Sequence, residues 1–108
     1  MSSQIIEFEN ELRLLDDSRR LGHKRQLRAK SSFREKQERL NDFMTRFSHF
    51  CDKNFLTEVV KEIKAIAHRP YVSDNASHFH SKMNRDVFNV KIVALQKIIK
   101  RIRGKINV

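Results

Sequence analysis

The stretch SFREKQERLNDFMTRFSHFC, residues 32–51, decides the fold. Phe33, Leu40, Phe43, Met44, Phe47, Phe50 and Cys51 fall on one arc of about 120° when the chain is wound at about 3.6 residues per turn. Arg34, Glu35, Glu38, Asp42, Arg46 and His49 fall outside that arc. Such two-sidedness predicts an amphipathic helix that buries its aromatic side. Ser32-Phe33-Arg34-Glu35 has the S-x-x-E form of a capping box, which suits a helix start. A helix running on continuously from residue 4 is the other option. It would be about 70 Å long and would call for a coiled-coil partner.

Towards the N-terminus, Ile5, Phe8, Leu12 and Leu15 recur at spacings of three and four. They predict a short helix over 4–17 with a narrow seam. Two heptads are marginal alone, so the seam needs a partner helix from this chain or from another. Between the two helices, bases project in nearly every direction and Gly22 weakens helix by about 1 kcal/mol. A helix with a hinge at Gly22 is the expectation there.

Towards the C-terminus, Leu56, Val59, Val60, Ile63, Ile66 and Ala67 form a compact apolar face and predict a helix over 55–68, capped by Asn54 or Thr57. Pro70 pushes Arg69 out of the α region and ends it. Residues 70–81 read as a loop. Met83, Val87, Val90, Ala94, Ile98 and Ile102, widened by Phe88, Ile92, Leu95 and Ile99, predict a final helix over 82–103. Its apolar face is wide enough to touch two neighbours. Gly104 suits the stop. Val87 to Val93 is β-branched enough to read as a strand instead.

Two Gly and one Pro in 108 residues leave little room for a many-turned β fold. The expected fold is all-α, a small bundle of three or four helices in a single domain over 1–108. Residues 1–31 would form an acidic-then-basic helical arm or coiled coil, and residues 32–108 the bundle core. One cysteine, Cys51, permits no intrachain disulfide. No basic, apolar leader is visible at the start and no run approaches the ~18 apolar residues of a membrane span, so an intracellular, cytoplasmic location is expected.

Charge is the functional signal. The net charge is +10. Residues 1–18 carry five acids and one Arg, residues 19–39 nine bases and two acids, and residues 82–108 eight bases and Asp86 alone. Bases gathered in this way bind phosphates by releasing condensed counterions, without reading sequence. The arginine fork also matches phosphate oxygens. The candidate nucleic-acid-binding residues are Arg19, Arg20, Lys24, Arg25, Arg28, Lys30 and Arg34, with Lys97, Lys100, Arg101 and Arg103 assisting. The bland reading of the same bases is a solvated face with dipole complementation at a helix end.

Phe43, Phe47, Phe50 and Phe55 read as core instead of a stacking platform, because they keep helical spacing beside Leu40 and Met44. Tyr71 and Phe79 are the better candidates for exposed aromatics, with partial burial expected. His49 with Cys51 and His78 with His80 have poor metal spacing, since residues i and i+2 diverge on a helix. No metal or cofactor is expected. No phosphate loop, nucleophile elbow or H-E-x-x-H pattern occurs, so no enzyme activity is expected. The leading expectation is a non-catalytic nucleic-acid-binding protein, DNA or RNA. The alternative is a helical adaptor or regulator that docks an acidic partner protein. A homodimer through Ile5, Phe8, Leu12 and Leu15 is a further option, with the acidic N-terminal helix meeting the basic stretch of a neighbour. Membrane binding is not expected, because the wide-faced helix lacks Trp.

Overall fold

The computed structural model describes residues 2–16, 33–71 and 78–106. Among them stand four α-helices: α1 (Ser2–Leu15), α2 (Phe33–Lys53), α3 (Thr57–His68) and α4 (His78–Ile106). No strand occurs among the described residues. The architecture is an all-α bundle. α1 packs on α2 and α4, and α3 packs on the same two, so the helices close a ring around one core.

Each helix enters that core with most of the face its periodicity marks; Met83 and Val90 of α4, expected on that face, are exposed instead. α2 contributes Leu40, Phe43, Met44, Phe47, Phe50 and Cys51, and α3 contributes Val59 and Ile63. α4 contributes Phe88, Ile92, Leu95, Ile98, Ile99 and Ile102, reaching both α1 and α3 as its wide apolar face requires. Full burial of such side chains stabilises by about 1.5–3 kcal/mol each before conformational entropy is subtracted. Val87 to Val93 is helical. β-branched propensity is a weak preference, and it yields here to a 3.6-residue repeat of core contacts.

Of the expected N-terminal arm over 1–31, the described part, α1, belongs to the bundle, and residues 17–31 lie outside the described residues. Ile5 and Leu12 are fully buried in the common core, and Phe8 and Leu15 pack against it. Phe8 sits over a ladder of rings on α2, 5.7 Å from Phe43 in an edge-to-face pair, 5.1 Å from Phe47 and 5.3 Å from Phe50. A single straight helix over 4–51 would hold Phe8 and Phe43 about 50 Å apart. α1 and α2 are therefore separate helices folded back on each other. The seam proposed for a homodimer is corrected for the same reason: Ile5, Phe8, Leu12 and Leu15 are taken up inside the chain. α1 ends at Leu15, and the expected hinge at Gly22 falls outside the described residues.

The α2–α3 corner breaks a local rule. The Leu56 amide donates to the Cys51 carbonyl at 2.9 Å and the Phe55 amide to that of Asp52 at 3.2 Å. These two bonds define a Schellman motif, whose C′ residue is left-handed and usually Gly. Here it is Phe55, with φ 60°. The ring is 90% exposed. This corrects the expectation that Phe55 is core. Asn54 does not cap α3; its side chain donates to the Phe50 carbonyl at 2.8 Å and closes α2. The N-cap residue of α3 is Leu56, which makes no side-chain cap bond.

α3 ends where Pro70 requires: Arg69 is extended, with φ −62° and ψ 118°. α4 is longer than the expected 82–103. It begins at His78, which shortens the loop, and it passes through Gly104 to Ile106. Glycine tolerates a helical position at a cost of about 1 kcal/mol, and here it does not act as the stop.

Candidate nucleic-acid interface

Helix α4 is the basic element of the bundle. It carries eight Lys or Arg and the single acid Asp86. α1 carries Glu7, Glu9 and Glu11 against Arg13. The fold sets parts of these two charge blocks against each other.

Arg103 of α4 donates through one guanidinium nitrogen to both carboxylate oxygens of Glu9, at 2.7 and 2.9 Å. Arg101 donates to Glu62 of α3 through two nitrogens, one of them at 3.2 Å. That carboxylate raises the Arg101 pKa, as its hydrogen bond favours the charged form. Arg34 meets Glu38 one turn along α2 at 3.6 Å. Three of the candidate phosphate-binding residues thus already hold carboxylates of their own chain.

These pairs differ in consequence. Arg34 and Glu38 have side chains 85% and 68% exposed, and a pair so wet contributes a few tenths of a kcal/mol. A phosphate can take Arg34 at little cost. Arg101 and Arg103 instead bridge separate helices with two hydrogen bonds each, so recruiting them opens contacts that hold α4 to its neighbours.

Lys97 and Lys100 are different again. Both are exposed on α4 and neither forms an ion pair among the described residues. Of the described candidates, these two are the free cations. Arg19, Arg20, Lys24, Arg25, Arg28 and Lys30 lie outside the described residues.

Between α1 and α2, a cleft of about 700 Å³ is lined by Glu11, Glu35, Glu38 and Asp42 together with Arg39, Arg46, Leu14 and Leu15. Arg46 is locked in it, donating to Asp42 at 2.9 Å and to both oxygens of Glu11. These hydrogen bonds, Glu11 first, push its pKa further up. Acids outnumber bases in this cleft, so it disfavours a polyanion.

Two acids of α1, Glu9 and Glu11, pair with Arg103 and Arg46 of the same chain, and the basic stretch expected to meet the acidic helix lies outside the described residues. Glu62 likewise answers Arg101 of α4 and not the lysines of its own helix.

Lys91 looks by sequence like part of the C-terminal basic cluster. It is 2% exposed. Its ammonium stands 4.1 Å over the Tyr71 ring and 3.5 Å from the Ala67 carbonyl in the last turn of α3. A cation there meets the negative end of the α3 dipole and a ring face. Desolvation, helped by Arg69, lowers its pKa, and burial raises that of Tyr71. Lys91 is thus a structural cation and offers nothing to a ligand. The partial burial expected of Tyr71 is observed.

Cys51 is buried, with burial pushing its thiol up to about 12, which makes it inert. Among the described residues no three His, Cys, Asp or Glu gather as a metal-binding group. No described helix is long and apolar enough to cross a membrane.

Comparisons with family models, with curated proteins and with solved structures each return no match.

Proposed function

We propose that the protein binds nucleic acid without catalysis, through phosphate contacts, with Lys97 and Lys100 of α4 as the bundle's part of the surface and Arg19, Arg20, Lys24, Arg25, Arg28 and Lys30 as the rest. The observation that carries the reading is the charge segregation of the bundle. α4 holds eight bases to one acid, with Lys97, Lys100 and Lys105 exposed and without an ion pair among the described residues, while the α1–α2 cleft is lined by more acids than bases. A polyanion is attracted to the one and repelled from the other. Arg34 joins at small cost. Arg101 and Arg103 leave the contact set, because their carboxylate partners hold them across helix interfaces.

The test is fluorescence anisotropy of labelled single-stranded and duplex oligonucleotides across a salt series. Log affinity is expected to fall linearly with log salt, by about 0.9 per phosphate contact on duplex DNA. Reversing Lys97 and Lys100 to Glu makes that slope shallower, and reversing Arg20, Lys24 and Arg28 to Glu removes most of the binding, with helical circular dichroism unchanged. No binding of either oligonucleotide at low salt sinks the proposal and leaves the acidic-protein adaptor as the reading of the same charges.

A further inference from the structure

Helix α4 carries a second seam, on the side turned away from the core. Met83, Asp86, Val90, Val93, Lys97 and Lys100 follow one another at alternating spacings of three and four, the a/d repeat of a coiled coil. All six are exposed, and the three apolar ones retain 39%, 44% and 46% of their surface in water. None of the described helices covers the strip. Gly104 continues the same spacing, and a Cβ built there meets nothing within 4 Å, so no close contact among the described residues calls for a glycine.

We propose that this strip is the interface of an antiparallel homodimer, α4 packing on α4 of a second copy about a twofold axis near residues 91–92. In an antiparallel seam, a positions face d positions, so facing residue numbers have a constant sum. Setting Val90 opposite Val93 sets Asp86 opposite Lys97 and Met83 opposite Lys100. The twofold repeats each pairing.

The centre is then a cluster of four valines. The sole acid of α4 meets a lysine, twice. The aliphatic stem of Lys100 covers Met83 while its ammonium stays in water. Among the described residues neither Asp86 nor Lys97 forms an ion pair, so both are available to a second copy. A parallel arrangement instead stacks Asp86 on Asp86 and Lys97 on Lys97, which like charges disfavour.

The overlap from residue 83 to residue 100 is about 26 Å of helix. That buries less than the roughly 800 Å² per partner of a standard interface, and two chains of +10 repel. The dimer is therefore weak, with Kd on the order of 10–100 µM. Phosphate and Asp86 of the second copy compete for Lys97. The inference does not depend on the nucleic-acid reading, since its test uses protein freed of nucleic acid.

The experiment is sedimentation velocity from about 5 to 500 µM, bracketing that Kd, on nuclease-treated wild type, Asp86→Lys, Lys97→Asp and an equimolar mixture of the two variants. The wild type is expected to shift from monomer to dimer with concentration. Each variant alone places like charges opposite each other and stays monomeric, with association at least tenfold weaker. The mixture restores opposite charges at both positions and dimerises again. Both positions are exposed, and unchanged circular dichroism shows that the variants fold. A wild type monomeric throughout, variants that associate as the wild type does, or a mixture that stays monomeric each overturn the interface.

Discussion

Arg103 and Glu9 stand 94 positions apart in the chain and within 2.7 Å in space, where the last helix is tied to the first. The pair takes a residue that resembles a phosphate ligand and makes it a strut. Its side chains are 41% and 23% exposed, so solvent screens part of the attraction. Arg103→Ala is expected to cost about 1 kcal/mol of stability in urea denaturation and to leave oligonucleotide affinity within about twofold. A variant that keeps its stability but loses binding would return Arg103 to the interface.

The ring ladder is the heavier contribution. Phe8 touches Phe43, Phe47 and Phe50 but keeps part of its surface wet. Phe8→Ala should cost about 2–3 kcal/mol, below the range for a wholly buried ring. Chemical denaturation decides it, and a loss under about 1 kcal/mol contradicts the packing described for α1.

Phe55 offers the opposite sign. Its φ of 60° suits glycine, and its ring is 90% exposed, so it contributes almost no burial. Phe55→Gly is expected to stabilise the fold by about 1 kcal/mol through relief of the left-handed strain. A lowered melting temperature would mean that the ring packs on the corner after all.

Lys91 makes stability depend on pH. Its folded pKa lies below the ordinary 10.5, so the unfolded chain holds the proton more tightly. The penalty is present in full below the folded pKa and is relieved as pH climbs towards 10.5. Unfolding free energy therefore gains a rising contribution just below that value. Tyr71, shifted upward, adds a falling one above its ordinary 10. Lys91→Met keeps the aliphatic stem and removes the charge. It is expected to be neutral or stabilising by about 1 kcal/mol at pH 7. The difference between variant and wild type should shrink as pH rises from 8 to 10, in paired urea titrations. A difference that grows instead would reverse the assigned sign.

Phe43, Phe47, Ile63 and Leu95 could be placed in the core from the sequence because helical periodicity is local: the next residue on the same face is always three or four positions away. Pro70 could be placed at a helix end for the same kind of reason. Phe55 and Gly104 could not. The corner that exposes Phe55 depends on where α3 must dock. Gly104 stays helical although local preference would end the helix there.

By itself the sequence determined the four helices, most of the faces they bury and the excess of positive charge, since each follows from composition or from a repeat shorter than two turns; Met83 and Val90, read onto the buried face of α4, are exposed. Only the tertiary structure decided which cations remain free. Lys91, Arg101 and Arg103 are as basic as Lys97 and Lys100 on paper. A charge is cancelled by whatever carboxylate or dipole stands within about 4 Å, and here those partners come from other helices, as far as 94 residues away.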